Sequence, residues 1–261
     1  MNYRKDIDIV IQGPLNKTSL QNIGRYKEFG TVIISHWAKD DLTLLDEFID
    51  DIDVKIVTIP DVYAASSLVP DYRLHQWQTT HEGLKASTKK YCVKVRSDEY
   101  YTDLSALIER FILDDDKMVT GNVFWKGLQP GVSNFHICDH IMICKRDHFC
   151  NSLTILFQDI AKGRLPMVWS PPGTERENHI PSESVFGSYY LCSKLGVTFE
   201  QLEKKKKREL KELLTKYFDY LDVNLFGDYK ICWNSPPDGG QNIVFRPGVD
   251  CYKGQTRNKE E

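Results

Sequence analysis

The sequence has no long hydrophobic run. No stretch of its 261 residues approaches the ~18 consecutive apolar residues that a membrane-spanning helix needs. The first residues are polar and lead into Ile7 to Ile11, a run too short to be the apolar part of a signal peptide and followed by no small-residue cleavage site. We therefore expect a cytoplasmic chain.

Cysteine pairs of the kind that hold zinc are also missing. The seven cysteines form no Cys-x-x-Cys motif, and an odd number fits a reducing compartment, where cysteines are small buried hydrophobic side chains. One segment nevertheless has several side chains of zinc-ligand chemistry: His136, Cys138, His140, Cys144, His148 and Cys150. We favour buried cysteines and hydrogen-bonded histidines over structural zinc, because His136, Cys138 and His140 fall on one face of a predicted strand that also carries core residues.

No large excess of one charge is present. The formal net charge is −3, so nothing calls for nucleic acid as a partner. The basic run Lys204 to Arg208 belongs to a predicted helix rich in Lys and Glu, with leucines along one stripe. We interpret this helix as a solvated surface element. The alternative is peripheral contact with an anionic membrane surface.

What the sequence does contain is an alternation of apolar runs and helical patterns. This order predicts βαβ units, that is, an α/β fold with a mixed, mostly parallel sheet flanked by helices. We expect one domain over residues 1–235 and an irregular tail over residues 236–261, which are rich in Gly, Pro and charge. The predicted strands are Ile7 to Ile11, Thr31 to Ser35, Val54 to Ile59 and Tyr91 to Val95, with apolar segments at 117–125 and 135–144, and the predicted helices cover about 18–29, 77–89, 182–195 and 198–218.

Residues directly after parallel strands are the first candidates for a ligand site, because ligands bind beyond the carboxyl ends of such strands. After the first strand come Gln12, Gly13 and Pro14, and at the end of the second come Ser35 and Trp37. Glycine lets backbone approach a flat ligand such as a nucleobase, and an indole can stack on one. The competing interpretation is an ordinary turn and a rim aromatic.

The densest group of charged residues follows the fourth strand. Lys94, Arg96, Ser97, Asp98 and Glu99 lie within six positions, and period-two alternation places both cations on one face of the strand. Adjacent carboxylates can hold a hard divalent cation that bridges two phosphate oxygens, and the cations suit either phosphate or the carboxylates. A structural ion-pair cluster at a strand end is the alternative.

Several segments together resemble the WavE-type glycosyltransferases of lipopolysaccharide synthesis. The resemblance spans most of residues 7–190. It rests on Ile9-Val10-Ile11-Gln12-Gly13-Pro14, on Gln76, Thr79 and Thr80 before Gly83-Leu84-Lys85, on Lys94-Val95-Arg96-Ser97-Asp98, on Phe135-His136-Ile137-Cys138-Asp139 and on Pro181-Ser182-Glu183.

The resemblance implies a GT-A-like (Rossmann-type) enzyme that binds a nucleotide-sugar across the parallel strands. Carried onto this chain, it places Gln12, Gly13, Pro14 and Trp37 near the base, Arg73 or Gln76 near ribose or phosphate, and Asp98 on a divalent cation, Mn²⁺ or Mg²⁺. The family's Asp-x-Asp spacing is not kept, since Glu99 adjoins Asp98 and Tyr100 occupies the place of the second acid. Metal dependence is therefore in question.

Sugar transfer also needs a group that accepts the proton of the attacking hydroxyl. Asp139 and Glu183 are the two candidates, and we favour Asp139. Glu183 falls at a predicted helix start, where the helix dipole favours the ionised carboxyl group but where capping beside Ser182 is an equal alternative. The proline-containing segment 163–180 is a candidate lid or acceptor surface.

The expected function is therefore glycosyl transfer from a nucleotide-sugar donor to a glycan or lipid-linked glycan hydroxyl, in surface polysaccharide synthesis. The alternative is a non-catalytic nucleotide-sugar or glycan-binding protein of the same fold. A nucleotidyltransferase is a third possibility, but it would be expected to carry a Gly-rich, basic phosphate loop after the first strand. Gln12 to Asn16 has neither property.

Overall fold

The computed structural model describes residues 5–60, 72–122, 128, 135–164, 182–233 and 241–245. The strands in these ranges are β1 (Ile7–Gln12), β2 (Thr31–Trp37), β3 (Val54–Ile59), β4 (Tyr91–Arg96), β5 (Tyr100–Tyr101), β6 (Met118–Gly121), β7 (Ile141–Lys145), β8 (Phe218–Leu221), β9 (Tyr229–Trp233) and β10 (Gln241–Phe245). The α-helices are α1 (Lys17–Leu20), α2 (Ile23–Tyr26), α3 (Tyr72–Ala86), α4 (Ser105–Leu113), α5 (Arg146–Ala161), α6 (Ser182–Leu195), α7 (Phe199–Glu203) and α8 (Lys207–Tyr217), and 3₁₀ turns cover Leu42–Phe48 and Val223–Leu225.

The main sheet has seven strands in the order β3-β2-β1-β4-β7-β6-β8. Neighbours pair in parallel except that β7 is antiparallel to both β4 and β6. The expected α/β fold, with a mixed, mostly parallel sheet flanked by helices, is confirmed. Because β7 runs in the opposite direction, its first residue lies at the same edge as the last residues of β1 and β4. A smaller sheet has the order β10-β9-β5.

Strand alternation builds a separate hydrophobic layer on each face of the main sheet. Ile9 and Val93 belong to the layer that includes α4, whereas Val10 points to the layer that contains residues of α3, α5 and α6. Helix α3 comes close to β1 and β2 at Gly83, where an added Cβ would lie 2.5 Å from a methyl group of Val10. Lys94 shares the face of Val10, because Val10 and Lys94 are register partners.

The strand Val54–Ile59 and the helix Ser182–Leu195 have the bounds that the sequence predicts. The predicted helix at 198–218 is instead two helices and a strand. Thr198 and Gln201 form a capping box at the start of α7, a second helix begins after Lys206, and Phe218 is extended and pairs with Met118 of β6. The predicted end near residue 218 is thus close to the observed one, and the prediction missed the interruption between Glu203 and Lys207. The predicted helix at 18–29 is divided into α1 and α2.

Two further expectations are corrected. The apolar segment 135–144 becomes a strand only at Ile141, so His136, Cys138 and His140 do not share a strand face. The tail expected to be irregular over 236–261 contains β10, which pairs with β9, since Ile243, Val244 and Phe245 have high strand propensity. Residues 165–180 of the expected lid lie outside the described ranges. No helix among the described residues is long and apolar enough to cross a membrane.

Candidate functional site

The candidate site lies at the edge of the sheet where β1, β2 and β4 end and β7 begins. The segment 135–140 reaches this edge because it leads into β7. Helix α3 and the start of α6 cover the same edge from one face, as shown by hydrogen bonds that join Gln76 to Asp139 and to Ser182. Residues that are up to 171 positions apart in the sequence, from Gln12 to Glu183, thus belong to one structural neighbourhood.

The loops after β1 and β4 are in direct contact. The amide of Gly13 donates to the carbonyl of Ser35 at 3.1 Å, and the amide of Ser97 donates to the carbonyl of Gln12 at 2.9 Å. Gly13 has φ +122°, and a Cβ there would lie 2.6 Å from Oγ of Ser97. Only glycine fits this backbone without strain. Pro14, the next residue, is exposed.

The side chains predicted to bind the base are buried and already have partners. Gln12 Oε1 accepts from Oγ1 of Thr79 at 2.8 Å, and Ser35 Oγ donates to the carbonyl of Thr79 at 2.7 Å. Trp37 is 2% exposed and packs on His75, with 4.8 Å between ring centroids. A base could stack on this indole only after neighbouring side chains move. Arg73 belongs to α3, but its side chain is outside what the structure describes.

Arg96 and Asp98 form a two-pronged ion pair. Nε of Arg96 lies 3.0 Å from Oδ1 and Nη2 lies 2.8 Å from Oδ2 of Asp98, a geometry that combines charge and direction. Burial opposes ionisation of Arg96, but Asp98 and Glu99 raise the pKa of Arg96 well above its usual range. Burial likewise raises the pKa of Asp98, and the stronger influence of Arg96 lowers it overall. About a quarter of each side chain is exposed.

Glu99 faces away from Asp98 into a buried hydrogen-bond network. Nδ1 of His140 lies 2.5 Å from Oε1 of Glu99, and the hydroxyl of Tyr101 donates to Oε2 at 3.0 Å. Because a carboxylate only accepts, Nδ1 carries the proton. Burial would lower the pKa of His140, but Glu99 raises it overall. The charge of Glu99 therefore favours the protonated form of His140.

The two acids predicted to hold a divalent cation do not fit one in this arrangement. Both oxygens of Asp98 bind Arg96, and both oxygens of Glu99 bind His140 and Tyr101. A hard cation needs several oxygen ligands directed at one point. No group of three His, Cys, Asp or Glu side chains among the described residues could hold a metal ion. The six histidines and cysteines between positions 136 and 150 therefore do not form a zinc site.

Asp139 is a buried carboxylate that is surrounded by cations. Lys94 is fully buried, and its amine donates a hydrogen bond to the backbone carbonyl of Asp139. Nε2 of His140 lies 3.8 Å from Oδ1 of Asp139. Burial would raise the pKa of Asp139, but Lys94, His140 and Arg96 lower it to about 2. Burial in turn lowers the pKa of Lys94. Lys94, predicted to face phosphate or carboxylates, lies beside a carboxylate.

The two oxygens of Asp139 are in different situations. Oδ2 accepts from Nε2 of Gln76 at 2.5 Å. Oδ1 is buried and has no hydrogen-bond partner among the described residues. A buried acceptor without a partner is costly and is uncommon in native structures.

Glu183 lies in the same electrostatic neighbourhood. Burial and the charge of Asp139 raise the pKa of Glu183 to about 7, against the opposing effects of His140 and Arg96. The two predicted catalytic acids therefore interact with each other and have opposite pKa shifts. Environments that separate the pKa values of two nearby acids are a recurrent feature of acid–base sites.

The sequence does not predict three residues of this network as parts of the site: His140, Ser182 and Tyr101. It favours a hydrogen-bonded histidine at position 140, with a zinc ligand as the alternative, and a capping neighbour of Glu183 at position 182. Their closeness in sequence to Asp139, Glu183 and Glu99 is the signal that could have indicated them. Elsewhere, Cys92, Cys138, Cys144, Cys150 and Cys192 are free thiols.

The basic run is largely neutralised by neighbouring acids. Lys204 lies 2.6 Å from Glu200, Lys205 lies 3.9 Å from Glu209 and Arg208 lies 3.3 Å from Glu212, each pair four residues apart. These pairs are typical of a solvated helical surface.

No model of a protein family matches the chain, and no curated protein matches it. Solved structures are similar to it at low identity. HddC from Yersinia pseudotuberculosis aligns with a TM-score of 0.36 and 14% identity, over 56% of this chain and 79% of its own.

Two longer proteins align over more of this chain. The apo-form glycosyltransferase GlyE of Streptococcus pneumoniae TIGR4 has a TM-score of 0.43 and 11% identity, over 85% of this chain and 46% of its own. TarS of S. aureus has a TM-score of 0.41 and 10% identity, over 72% of this chain and 33% of its own. This chain thus spans less than half of either protein. At these scores the similarity assigns no activity or substrate, and the resemblance to WavE-type enzymes stays a prediction.

Proposed function

We propose that the chain is a glycosyltransferase that moves a sugar from a nucleotide-sugar donor to a hydroxyl group of a glycan. One observation carries the proposal: Asp139 presents a buried, ionised oxygen, Oδ1, without a hydrogen-bond partner among the described residues. That oxygen lies at the sheet edge where a nucleotide is bound in parallel α/β folds. We propose that this oxygen accepts a proton from a substrate hydroxyl group.

Arg96 is the proposed partner of the donor diphosphate. Its guanidinium already binds a carboxylate through two hydrogen bonds, and a phosphate group accepts the same paired geometry. The partial exposure of the pair allows a phosphate to compete with Asp98. Ser97 and the loop at Gln12, Gly13 and Pro14 would approach the nucleoside.

The remaining donor residues proposed from the sequence lie on two elements next to this loop. Ser35 and Trp37, proposed near the base, lie at the end of β2, and Arg73 and Gln76, proposed near ribose or phosphate, lie on α3. Because Ser35 and Trp37 are buried, their contribution to the base pocket is mainly to support the loop that starts at Gln12.

The two acids are proposed to have different roles once the donor is bound. A diphosphate adds negative charge, which raises the pKa of each nearby carboxyl group. Glu183, with a pKa of about 7 in the free protein, is then protonated at neutral pH and can donate a hydrogen bond. Asp139, with a pKa of about 2, remains ionised and can accept the proton. The positive charges of Lys94, His140 and Arg96 lower the pKa of Asp139.

The proposed reaction is a direct displacement. The acceptor oxygen bonds to the anomeric carbon of the sugar as the bond from that carbon to the diphosphate oxygen breaks. The diphosphate leaves with the electron pair, and the acceptor proton moves to Asp139. With no covalent sugar–protein intermediate, the configuration at the anomeric carbon is inverted.

No step of this proposal is assigned to a divalent cation. Mn²⁺ or Mg²⁺ follows from the resemblance, yet Asp98 and Glu99 are bound to other side chains in this arrangement. The guanidinium of Arg96 supplies positive charge at the place where the resemblance puts the metal.

The resemblance to WavE-type enzymes supports a glycan or lipid-linked glycan acceptor in surface polysaccharide synthesis. A hydroxyl group of such an acceptor can donate a hydrogen bond to Oδ1 of Asp139, which has no partner among the described residues. Peripheral membrane contact through residues 204–208 is the alternative and not part of the proposal, because three of these cations are paired with glutamates.

A thermal-shift screen tests the proposal. UDP-, GDP-, CMP- and dTDP-sugars are added to the protein with and without Mn²⁺, since a ligand that binds the folded state raises the melting temperature. We expect a rise with one nucleotide class, and transfer to a glycan acceptor with that donor. Binding without turnover would favour the non-catalytic binding protein, and the absence of any shift would contradict the proposal.

A further inference from the structure

We propose that Gln76 is a positioning residue that fixes the orientation of the Asp139 carboxylate and links it to the start of α6. This inference rests on the proposed function, because it assigns to Gln76 an effect on the group that accepts the proton. The sequence places Gln76 near ribose or phosphate. In the structure, both the nitrogen and the oxygen of its side-chain amide are hydrogen-bonded to protein groups.

The direction of each hydrogen bond through Gln76 is determined by its neighbours. Nε1 of Trp77 can only donate, and it lies 2.9 Å from Oγ of Ser182. The hydroxyl proton of Ser182 is then free to donate to Oε1 of Gln76 at 2.7 Å. Nε2 of Gln76 must therefore face Asp139, whose ionised carboxylate can only accept.

The chain of hydrogen bonds thus runs from a donor-only group to an acceptor-only group. Reversing the amide of Gln76 would place its carbonyl oxygen against Oδ2 of Asp139 and its amino group against the hydroxyl of Ser182. The first contact would be repulsive, so the amide has one favourable orientation.

The consequence for Asp139 is a fixed carboxylate. Gln76 holds Oδ2, and Lys94 holds the backbone carbonyl of the same residue. The carboxylate cannot rotate about its last bond without breaking the hydrogen bond to Gln76. Oδ1 is the oxygen left to meet a substrate.

The same amide connects the two acids of the site. Ser182 is the first residue of α6 and immediately precedes Glu183. Gln76 on α3 therefore fixes Asp139 directly and Glu183 through its neighbour. Displacing a reacting group by about 1 Å can lower a rate by about a hundredfold, so a clamp of this kind affects kcat rather than donor affinity.

Three variants test the inference. Gln76→Leu removes both side-chain hydrogen bonds, and Ser182→Ala removes only the link to α6. Gln76→Glu keeps the shape of the side chain and can donate to Asp139 only when its own carboxyl group is protonated. Gln78→Leu is the matched control, because Gln78 lies on the same helix and its buried Oε1 has no hydrogen-bond partner among the described residues.

With a donor that the wild-type protein turns over, we expect Gln76→Leu to lower kcat about tenfold to a hundredfold, with little change in the KM for the donor. Gln76→Glu should recover activity as the pH falls and its carboxyl group becomes protonated. A purely structural role would not produce that recovery. Equal kcat values for Gln76→Leu and Gln78→Leu, or no recovery in Gln76→Glu, would overturn the inference.

A carboxyl titration separates this inference from the proposed function. The pKa of Asp139 is followed by NMR in protein with ¹³C-labelled aspartate, in the absence of any donor. Gln76 helps to lower that pKa, so Gln76→Leu should raise it and Gln78→Leu should not. If no nucleotide-sugar is turned over, the proposed function fails, and the titration still decides whether Gln76 holds Asp139. An unchanged pKa of Asp139 in Gln76→Leu would contradict the inference that Gln76 positions its carboxylate.

Discussion

The guanidinium of Arg96 binds both carboxylate oxygens of Asp98, at 3.0 and 2.8 Å. A divalent cation bound to Asp98 would have to displace this guanidinium. Mn²⁺ alone is therefore expected to leave the melting temperature of the free protein unchanged. Asp98→Asn removes the ion pair and should lower the free energy of unfolding by about 1 kcal/mol, the upper range for a partly exposed pair. Chemical denaturation measures that loss, and a clear stabilisation by Mn²⁺ alone would contradict the expectation.

Asparagine and glutamine substitutions should separate the roles of the two acids. Asp139→Asn removes the proton acceptor and is expected to lower kcat by about 10² to 10⁴-fold. Glu183→Gln resembles the protonated form of Glu183 and should keep most of the activity at neutral pH. The measurement is steady-state transfer with the donor found by thermal shift. The opposite order of the two variants would identify Glu183 as the base.

The stability of the protein should depend on Glu183 in a defined pH range. Its pKa is raised by folding from 4.5 to about 7, so its contribution is fully present below pH 4.5 and is lost as the pH rises through about 7. Between pH 5 and 8, wild-type protein should lose about 2 kcal/mol more than Glu183→Gln. Urea unfolding at each pH measures the difference, and parallel curves for the two proteins would argue against the raised pKa.

Substitution of Gly13 should disturb the contact between the loops after β1 and β4. Gly13→Ala places a Cβ 2.6 Å from Oγ of Ser97 in a backbone conformation that alanine rarely adopts, and should cost about 1–3 kcal/mol. Gly24 is the control, because a Cβ there meets nothing within 4 Å and alanine favours the helix. Thermal unfolding distinguishes them. An equal effect of the two substitutions would show that the loop contact is not tight.

Charge reversal in the basic run should have little effect on membrane binding. Lys204, Lys205 and Arg208 are paired with glutamates, so much of the positive charge of this surface is neutralised. A variant with Lys204 to Lys207 replaced by glutamate is expected to co-sediment with anionic vesicles as well as wild type. Weaker sedimentation of the variant would favour peripheral membrane contact through this helix.

The sequence was most informative where a local pattern is sufficient. The strand Val54–Ile59 and the helix Ser182–Leu195 have their predicted bounds, since apolar runs and helix-start signals act over a few residues. The parallel arrangement also followed from the order of elements. The helix predicted over 198–218 ends at Tyr217, close to its predicted end, but it is interrupted between Glu203 and Lys207. The strand that follows it was not predicted, because it depends on the pairing of Phe218 with Met118, which lie 100 positions apart.

By itself, therefore, the sequence determined the α/β class and the residues at the ends of the strands. Through the resemblance to family motifs it also led to the prediction that Asp139 and Glu183 belong to one site. Only the tertiary structure decided how these side chains are paired. The hydrogen bonds from Gln76 to Asp139 and from Ser182 to Gln76 join residues 63 and 106 positions apart. The charge state and free oxygen of a carboxylate depend on which groups surround it in space, and a local pattern does not contain that information.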